Sequence, residues 1–403
     1  MKILMVNKFF YIKGGSETYY FALRRMLEEL GHTVVDFSME DEKNFSSPYK
    51  EYFVSNVDYN GKLNIRQKAV AAVNLIYSME AKRKLEQLIN REKPDIAHLH
   101  IFQHQISLSI LDVLKKHKIP VVYTAHDLQM LCPNYQMLAG GKPCEACKGG
   151  KYLSCLKNRC IKDSTAKSAL GVVEAYFNAW SHKYDSIDHI ITPSAFYKKK
   201  FEEFGVAPQR LTHIPNFLER TRPAVNPLED TVPYYLYLGR LSREKGIPTL
   251  IRAAQNAGVR LKIVGGGPLQ EELSKYQNEN IHILGFKSGQ ELIDLVGNAR
   301  AVVLPSEWYE NGPYSAIEAL QLGRPLIGAD IGGIPELIRD NGFLFPSGDV
   351  QKLASALILM DNLEPEAYRA MEQASYRLFE ENYTPKTHMQ QLGEVYKKIG
   401  ASI

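Results

Sequence analysis

MKILMVNKFFYIKGGSETYYFALRRMLEELGHTVVDFS, residues 1–38, holds one full period of the pattern that fixes the fold class. ILMVN (3–7) is a short apolar run of buried-strand type. A glycine-bearing loop follows, and then Tyr19, Ala22, Leu23, Met26, Leu27 and Leu30 recur at intervals of three and four, the stripe of an amphipathic helix. Gly31 is the natural helix stop, and TVVDFSM (33–39) begins the next strand. The alternation continues through IAHLH (96–100), VVYTAHD (121–127) and HIITPS (189–194). Strands that alternate with helices imply a parallel sheet, because each parallel return needs a crossover. At 214–233 the pattern breaks into IPNFLERTRPAVNPLEDTVP, polar and proline-bearing, which reads as a linker. Beyond it the alternation starts afresh with YYLYLG (234–239), LKIVGGG (261–267), IHILGF (281–286), AVVLPS (301–306) and LIGADI (326–331). A helix is expected from Pro248 to Ala257, closed by Gly258. Two doubly wound α/β domains joined by a hinge are expected, with the ligand site between them at the carboxyl ends of the strands.

The expected boundaries are 1–215 for the first domain, 216–233 for the linker and 234–380 for the second domain. Residues 128–165 form a cysteine-bearing insert, and 381–403 form a terminal helix that packs back on the first domain. The length, 403 residues, suits two or three domains at roughly 150 residues each. The composition, 45% apolar and 23% charged, supplies sizeable cores and excludes disordered, collagen-like and disulfide-scaffold chains. No run approaches the ~18 apolar residues of a membrane span. The five uncharged residues between Lys2 and Lys8 are too few for a secretion signal. A cytoplasmic protein is expected, at most peripheral at the inner face of the cell membrane. Net charge is +4, but residues 1–218 carry 30 Lys/Arg against 22 Asp/Glu and the rest 19 against 23, so the halves face different partners. The imbalance is too mild for nucleic-acid binding.

Two loops carry chemistry. YLGRLSREKG (237–246) sets Arg240 and Lys245 just after a strand, between Gly239 and Gly246. Two cations there suit a diphosphate; a solvated charged loop is the plainer reading. SEWYENGPYSAIEAL (306–320) places Asn311-Gly312-Pro313 at a turn-to-helix junction, with Pro313 expected at the first helical position. The N–H groups of Tyr314 and Ser315 would then offer an anion site. A carboxylate beside such a site is unfavourable, so Glu310 calls for a reason, and binding the hydroxyls of a sugar on that phosphate is one.

The spacing Glu310-x7-Glu318, the Gly239-Arg240…Lys245-Gly246 loop, the IVGGGP turn (263–268) and the HILGF strand (282–286) together resemble glycosyltransferase family 4. Gly14-Gly15-Ser16-Glu17 and Ala125-His126-Asp127 look like the matching acceptor-domain elements. The resemblance covers nearly the whole chain and implies the GT-B fold, two Rossmann-like domains facing a central cleft. It further implies a retaining enzyme that takes a nucleotide-diphosphate sugar, UDP-linked, and extends a lipid-linked saccharide in cell-surface polysaccharide synthesis. By the same resemblance Arg240 and Lys245 neutralise the donor diphosphate, so no catalytic metal is expected. Glu318 holds the ribose and Glu310 the sugar, beside the loop of Asn311, Gly312, Pro313, Tyr314 and Ser315. The base lies near Gly265, Phe286 and Lys287. Gly14 and Gly15 let their loop approach the diphosphate, and His126 sits near the sugar and the leaving oxygen. Other readings are a transferase with a small soluble acceptor and a GT-B-fold sugar-nucleotide epimerase. A dinucleotide oxidoreductase is disfavoured, because YIKGGSE lacks Gly-x-Gly-x-x-Gly.

Three features depart from that pattern or add to it. ENGPYSAIE (310–318) stands where Gly-Phe-Gly is frequent between the glutamates, and Pro313 removes a backbone donor. Cys144-x2-Cys147 and Cys155-x4-Cys160 have a knuckle-like spacing that suits a structural zinc, the alternative being reduced, unligated thiols. Segment 62–93, with eight Lys/Arg against three Asp/Glu, and Lys198-Lys199-Lys200 suggest contact with an anionic membrane surface.

Overall fold

The computed structural model describes residues 1–56, 72–219, 222–228 and 232–401. The first domain runs β1 (Lys2–Val6), α1 (Gly15–Glu29), β2 (Thr33–Phe37), α2 (Met79–Glu92), β3 (Ile96–Leu99), α3 (Ser109–Lys116) and β4 (Val121–Thr124). An insert follows, with the hairpin β5 (Leu138–Ala139) and β6 (Lys142–Pro143), then α4 (Leu153–Lys157) and α5 (Thr165–Trp180). The domain closes with β7 (His189–Thr192), α6 (Ala195–Glu203) and β8 (Leu211–His213). Its sheet is parallel throughout, in the order β2-β1-β3-β4-β7-β8. Ile3, Leu4, Met5 and Val6 are all fully buried, as expected of a parallel strand covered by helices on both faces.

The second domain runs β9 (Tyr235–Leu238), α7 (Ile247–Ala257), β10 (Leu261–Val264), α8 (Gln270–Ser274), β11 (Ile281–Gly285), α9 (Gly289–Gly297) and β12 (Ala301–Leu304). Then come α10 (Tyr314–Gln321), β13 (Leu326–Ala329), β14 (Gly342–Phe345), α11 (Val350–Asp361) and α12 (Pro365–Asn382). Its sheet is likewise parallel, ordered β11-β10-β9-β12-β13-β14. The edge strands β8 and β14 lie beyond the sequence reading, being short and set among polar residues. The last helix, α13 (Pro385–Lys398), belongs spatially to the first domain. Its Leu392, Val395 and Tyr396 pack with Ile3, Met5, Tyr19, Leu23 and Val122 in one core. The fold is GT-B.

In each sheet the strand order reverses once, between β1 and β3 and between β9 and β12. The loops leaving these strands diverge there and open a crevice, where ligands bind in open α/β sheets. The loops that carry Arg240, Lys245 and Glu310 leave β9 and β12, so topology alone puts them at the crevice.

Candidate active site

The β9 loop is held in place by glycines at close approaches. A Cβ on Gly265 (φ +139°), at the end of β10, would stand 1.9 Å from the Gly239 carbonyl oxygen. One on Gly246 (φ +68°) would stand 1.8 Å from that of Pro305. The second contact presses Lys245 against the β12 loop, where its Nζ donates to Glu310 Oε1 at 2.6 Å. Ser306 Oγ (2.6 Å) and Trp308 Nε1 (2.9 Å) donate to the same oxygen. Glu310 is only 6% exposed. Burial alone would raise its pKa, but the Lys245 charge and the three hydrogen bonds outweigh that and hold the carboxyl below its usual range. Glu310 is therefore an anion. Where the sequence reading assigned Lys245 and Glu310 to different parts of a donor, the structure pairs them with each other. Arg240 is exposed at the crevice, and its charge reaches Lys13 across it.

The turn from Asn311 to Ser315 joins the domains. Asn311 Nδ2 donates to the carbonyls of Ala125 (2.9 Å) and His126 (3.3 Å), while Asn311 Oδ1 accepts from Ser194 Oγ at 3.0 Å. Asn216 Nδ2 donates to Gly312 O at 3.0 Å. Pro313 is the residue before α10, not its first helical residue: its ψ of 132° is extended, and its carbonyl accepts from Ala316 and Ile317. Tyr314 and Ser315 lead the helix ahead of those bonds, so their N–H groups are the ones directed out of its N-terminus. The Tyr314 ring also faces Gly15, where a Cβ would lie 3.1 Å from Tyr314 Cδ2. Gly15 thus lets α1 close against α10. Glu336 adds a clasp, its carboxylate accepting from Ala195 N (2.8 Å) and Phe196 N (2.6 Å) at the start of α6.

Gly14 caps α1, and Glu318 is half-buried on α10. Phe286 is 78% exposed just after β11, and Lys287 pairs with Glu291 at 2.5 Å.

His126 sits at the end of β4, where its ring stacks on His100 and its Nε2 lies 3.2 Å from His100 Nδ1. His100 Nε2 is buried and has no partner among the described residues. A buried orphan N–H costs more than an orphan lone pair, so the His100 proton belongs on Nδ1 and is donated to His126 Nε2. That leaves the His126 proton on Nδ1. Burial holds His126 neutral, its pKa lowered to about 3. A parallel relay fixes His388: Pro215 O accepts from its Nδ1 at 2.8 Å, so its Nε2 accepts from Tyr19 OH at 3.0 Å. The sequence reading missed His100, Lys13, Ser194 and Glu336. IAHLH did mark His100 as a strand-end residue, but only the β3–β4 pairing brings it beside His126.

Three of the four expected zinc ligands, Cys147, Cys155 and Cys160, pack together, and Cys144 lies within electrostatic reach of Cys160. All five cysteines are free thiols: Cys147 hydrogen-bonds with Cys132, which the expectation left out, and Cys155 with Cys160. Cys144 is half-exposed after the β5–β6 hairpin. Among the described residues, no group of three or more His, Cys, Asp or Glu side chains is placed to hold a metal ion. Of the basic segments, one residue differs from expectation and part of the other is not described. Lys200 is buried and paired with Glu145 and Glu203, both at 2.8 Å, while residues 57–71 lie outside the described part of the chain.

Residues 13–222 match the family model Glycosyltransferase Family 4, and residues 219–378 match Glycosyl transferases group 1. Among named proteins, the chain is 29% identical to the alpha-D-kanosaminyltransferase of Streptomyces kanamyceticus, over 42% of this chain and 47% of that protein. It is 27% identical to the amylovoran biosynthesis glycosyltransferase AmsK of Erwinia amylovora, over 41% and 44%. The match thus spans a little under half the length of each of these two relatives. The crystal structure of HepE from Anabaena, determined with UDP and glucose, superposes with a TM-score of 0.66 at 17% identity, covering 99% of this chain and all of that one.

Proposed function

The chain belongs to glycosyltransferase family 4, and we propose that it is a retaining enzyme that moves a sugar from a UDP-sugar to a lipid-linked saccharide during cell-surface polysaccharide synthesis. One observation carries this reading. Lys245, Arg240 and the ionised Glu310 converge where the second sheet reverses its strand order, and Asn311 holds the His126 backbone opposite them. The polysaccharide assignment draws on AmsK, and the uridine assignment on the ligand of HepE.

In this proposal the donor diphosphate lies between Arg240, Lys245 and the N–H groups of Tyr314 and Ser315. Gly265, Phe286 and Lys287 border the base, and Glu318 holds the ribose. Lys245 turns from Glu310 to the diphosphate, and the sugar hydroxyls take its place on the carboxylate. The bond from the anomeric carbon to the leaving phosphate oxygen breaks, and the bond to the acceptor oxygen forms on the same face. The acceptor proton passes to that phosphate oxygen. The phosphate thus gains negative charge as the bond breaks, so preorganised cations lower the barrier most. His126, neutral with its proton on Nδ1, can donate a hydrogen bond to the sugar.

The test follows both products of a UDP-sugar reaction. Release of UDP together with an α-linked product from an α-donor is expected by proton NMR. Inversion at the anomeric carbon would overturn the retaining assignment, and epimerised sugar without transfer would favour the epimerase.

A further inference from the structure

The helix α5 has an inner face buried against the first domain and an outer face left exposed among the described residues. On the inner face Glu174 is buried, 3.6 Å from His104 Nε2. The outer face carries Val173, Tyr176 and Trp180 at positions i, i+3 and i+7, with exposures of 55%, 41% and 80%. No Asp, Glu, Lys or Arg other than the buried Glu174 interrupts α5 after Lys167. Beside it, Tyr152 meets Tyr176 edge to face at 5.1 Å, and the next residue, Leu153 on α4, is 61% exposed. Lone exposed apolar residues are ordinary, but a contiguous set on one helix and its neighbour marks an interaction site.

The surroundings name the partner. From 148 to 167 the chain carries Lys148, Lys151, Lys157, Arg159, Lys162 and Lys167 against one acid, Asp163. An apolar ridge bearing an exposed tryptophan and tyrosine, preceded in sequence by this basic stretch, matches the headgroup region of an anionic bilayer, with aromatic rings at the interface and cations on the phosphates. A second copy of the same face would bring the same positive charge and be repelled.

We propose that the α4–α5 face seats the first domain on an anionic lipid surface, with Trp180 entering the interface. This places the expected membrane contact on the insert, away from 62–93 and 198–200. It rests on the proposed lipid-linked acceptor for its purpose, since it would hold the first domain against the membrane in which such an acceptor is anchored. The tests read lipid contact alone.

The chain has two tryptophans, Trp180 and Trp308, so fluorescence isolates the event. Full-length protein is mixed with vesicles of phosphatidylethanolamine and phosphatidylglycerol, with or without brominated acyl chains. A blue shift and bromine quenching are expected, and both should vanish in Trp180→Ser. Removing one buried apolar side chain should weaken vesicle sedimentation about tenfold or more. Lys151→Glu/Lys157→Glu should weaken it too, and about 1 M salt, where the screening length falls to about 3 Å, should mimic that pair. Equal sedimentation with phosphatidylcholine vesicles, or unquenched Trp180, would overturn the proposal. So would ultracentrifugation showing a dimer that Trp180→Ser dissociates, because a second copy would then cover the face. Trp180→Ser should keep the thermal stabilisation given by a UDP-sugar. In the native protein, donor binding without lipid contact rejects this inference alone, whereas lipid contact without donor binding rejects the transferase reading alone.

Discussion

Replacing Lys245 by methionine keeps most of its volume and removes its charge. The structure predicts a pH-dependent loss of stability in the second domain. In the native protein Glu310, 6% exposed, is held ionised chiefly by Lys245 at 2.6 Å. Its folded pKa lies below the unfolded value, so the pair contributes stability above the carboxylate range that is lost as pH falls. Without the cation, burial dominates and lifts the folded pKa above the unfolded one. The sign then reverses: Lys245→Met is destabilised at neutral pH and recovers as Glu310 takes up a proton towards pH 4.5. Breaking a fully buried pair costs about 3–5 kcal/mol. Lys245 keeps 20% of its side chain exposed, so a smaller cost, roughly 2–3 kcal/mol, is expected, or about 4–12 °C in the melting of a domain this size. Lys245→Met/Glu310→Gln removes the stranded charge and should regain most of the loss at pH 7. Thermal melts from pH 4.5 to 8 compare the native protein with both variants. An unchanged melting temperature in Lys245→Met, or a double variant no better than the single one, would refute the reasoning.

Three further outcomes follow from the site and its surroundings. Glu310→Gln keeps the hydrogen bonds from Ser306 and Trp308 but loses the charge that offsets a developing oxocarbenium ion, so its kcat should fall ~10²- to 10³-fold, close to Glu310→Ala; a near-native kcat would reduce Glu310 to a positioning group. His100→Phe frees His126 from its fixed tautomer and should lower kcat about tenfold with little change in KM, while nitrogen-15 NMR of the native rings should find both histidines protonated on Nδ1; protons on Nε2 would contradict the relay. Burial lowers His98 to about 3 and His388 to about 4, so the stability of these neutral rings is complete above pH 6.5 and lost as pH falls towards 4, and His388→Gln should flatten the decline of melting temperature over that window.

The doubly wound domains were legible in the sequence because parallel strands, buried on both faces, read as apolar runs. Ala301–Leu304 and Leu326–Ala329 are such strands. The β8 and β14 edges were not: β8 (Leu-Thr-His) carries no such run, and Gly342–Phe345 is a short apolar stretch between polar segments, with Leu344 exposed. Arg240 and Lys245 stood out because Gly239 and Gly246 flank them in a loop past a strand, and Glu310 because it precedes the Asn311-Gly312-Pro313 turn. The pairing of Lys245 with Glu310 was not legible, because it depends on Gly246 packing under Pro305, far away in sequence. The histidine relay was hidden for the same reason, as alignment of β3 with β4 decides which strand ends meet. Cysteine spacing identified residues that lie near one another but missed Cys132, which reaches Cys147 across the hairpin from outside the knuckle-like motif.

The most direct test of the central claim is a thermal-shift titration of UDP-sugars against the native protein and Arg240→Ala/Lys245→Met. At a hundred times the dissociation constant a donor should add about 2.7 kcal/mol to the native protein and nothing measurable to the variant. Equal stabilisation of both would contradict the diphosphate site assigned to Arg240 and Lys245. No stabilisation of the native protein by any UDP-sugar would contradict the proposed donor.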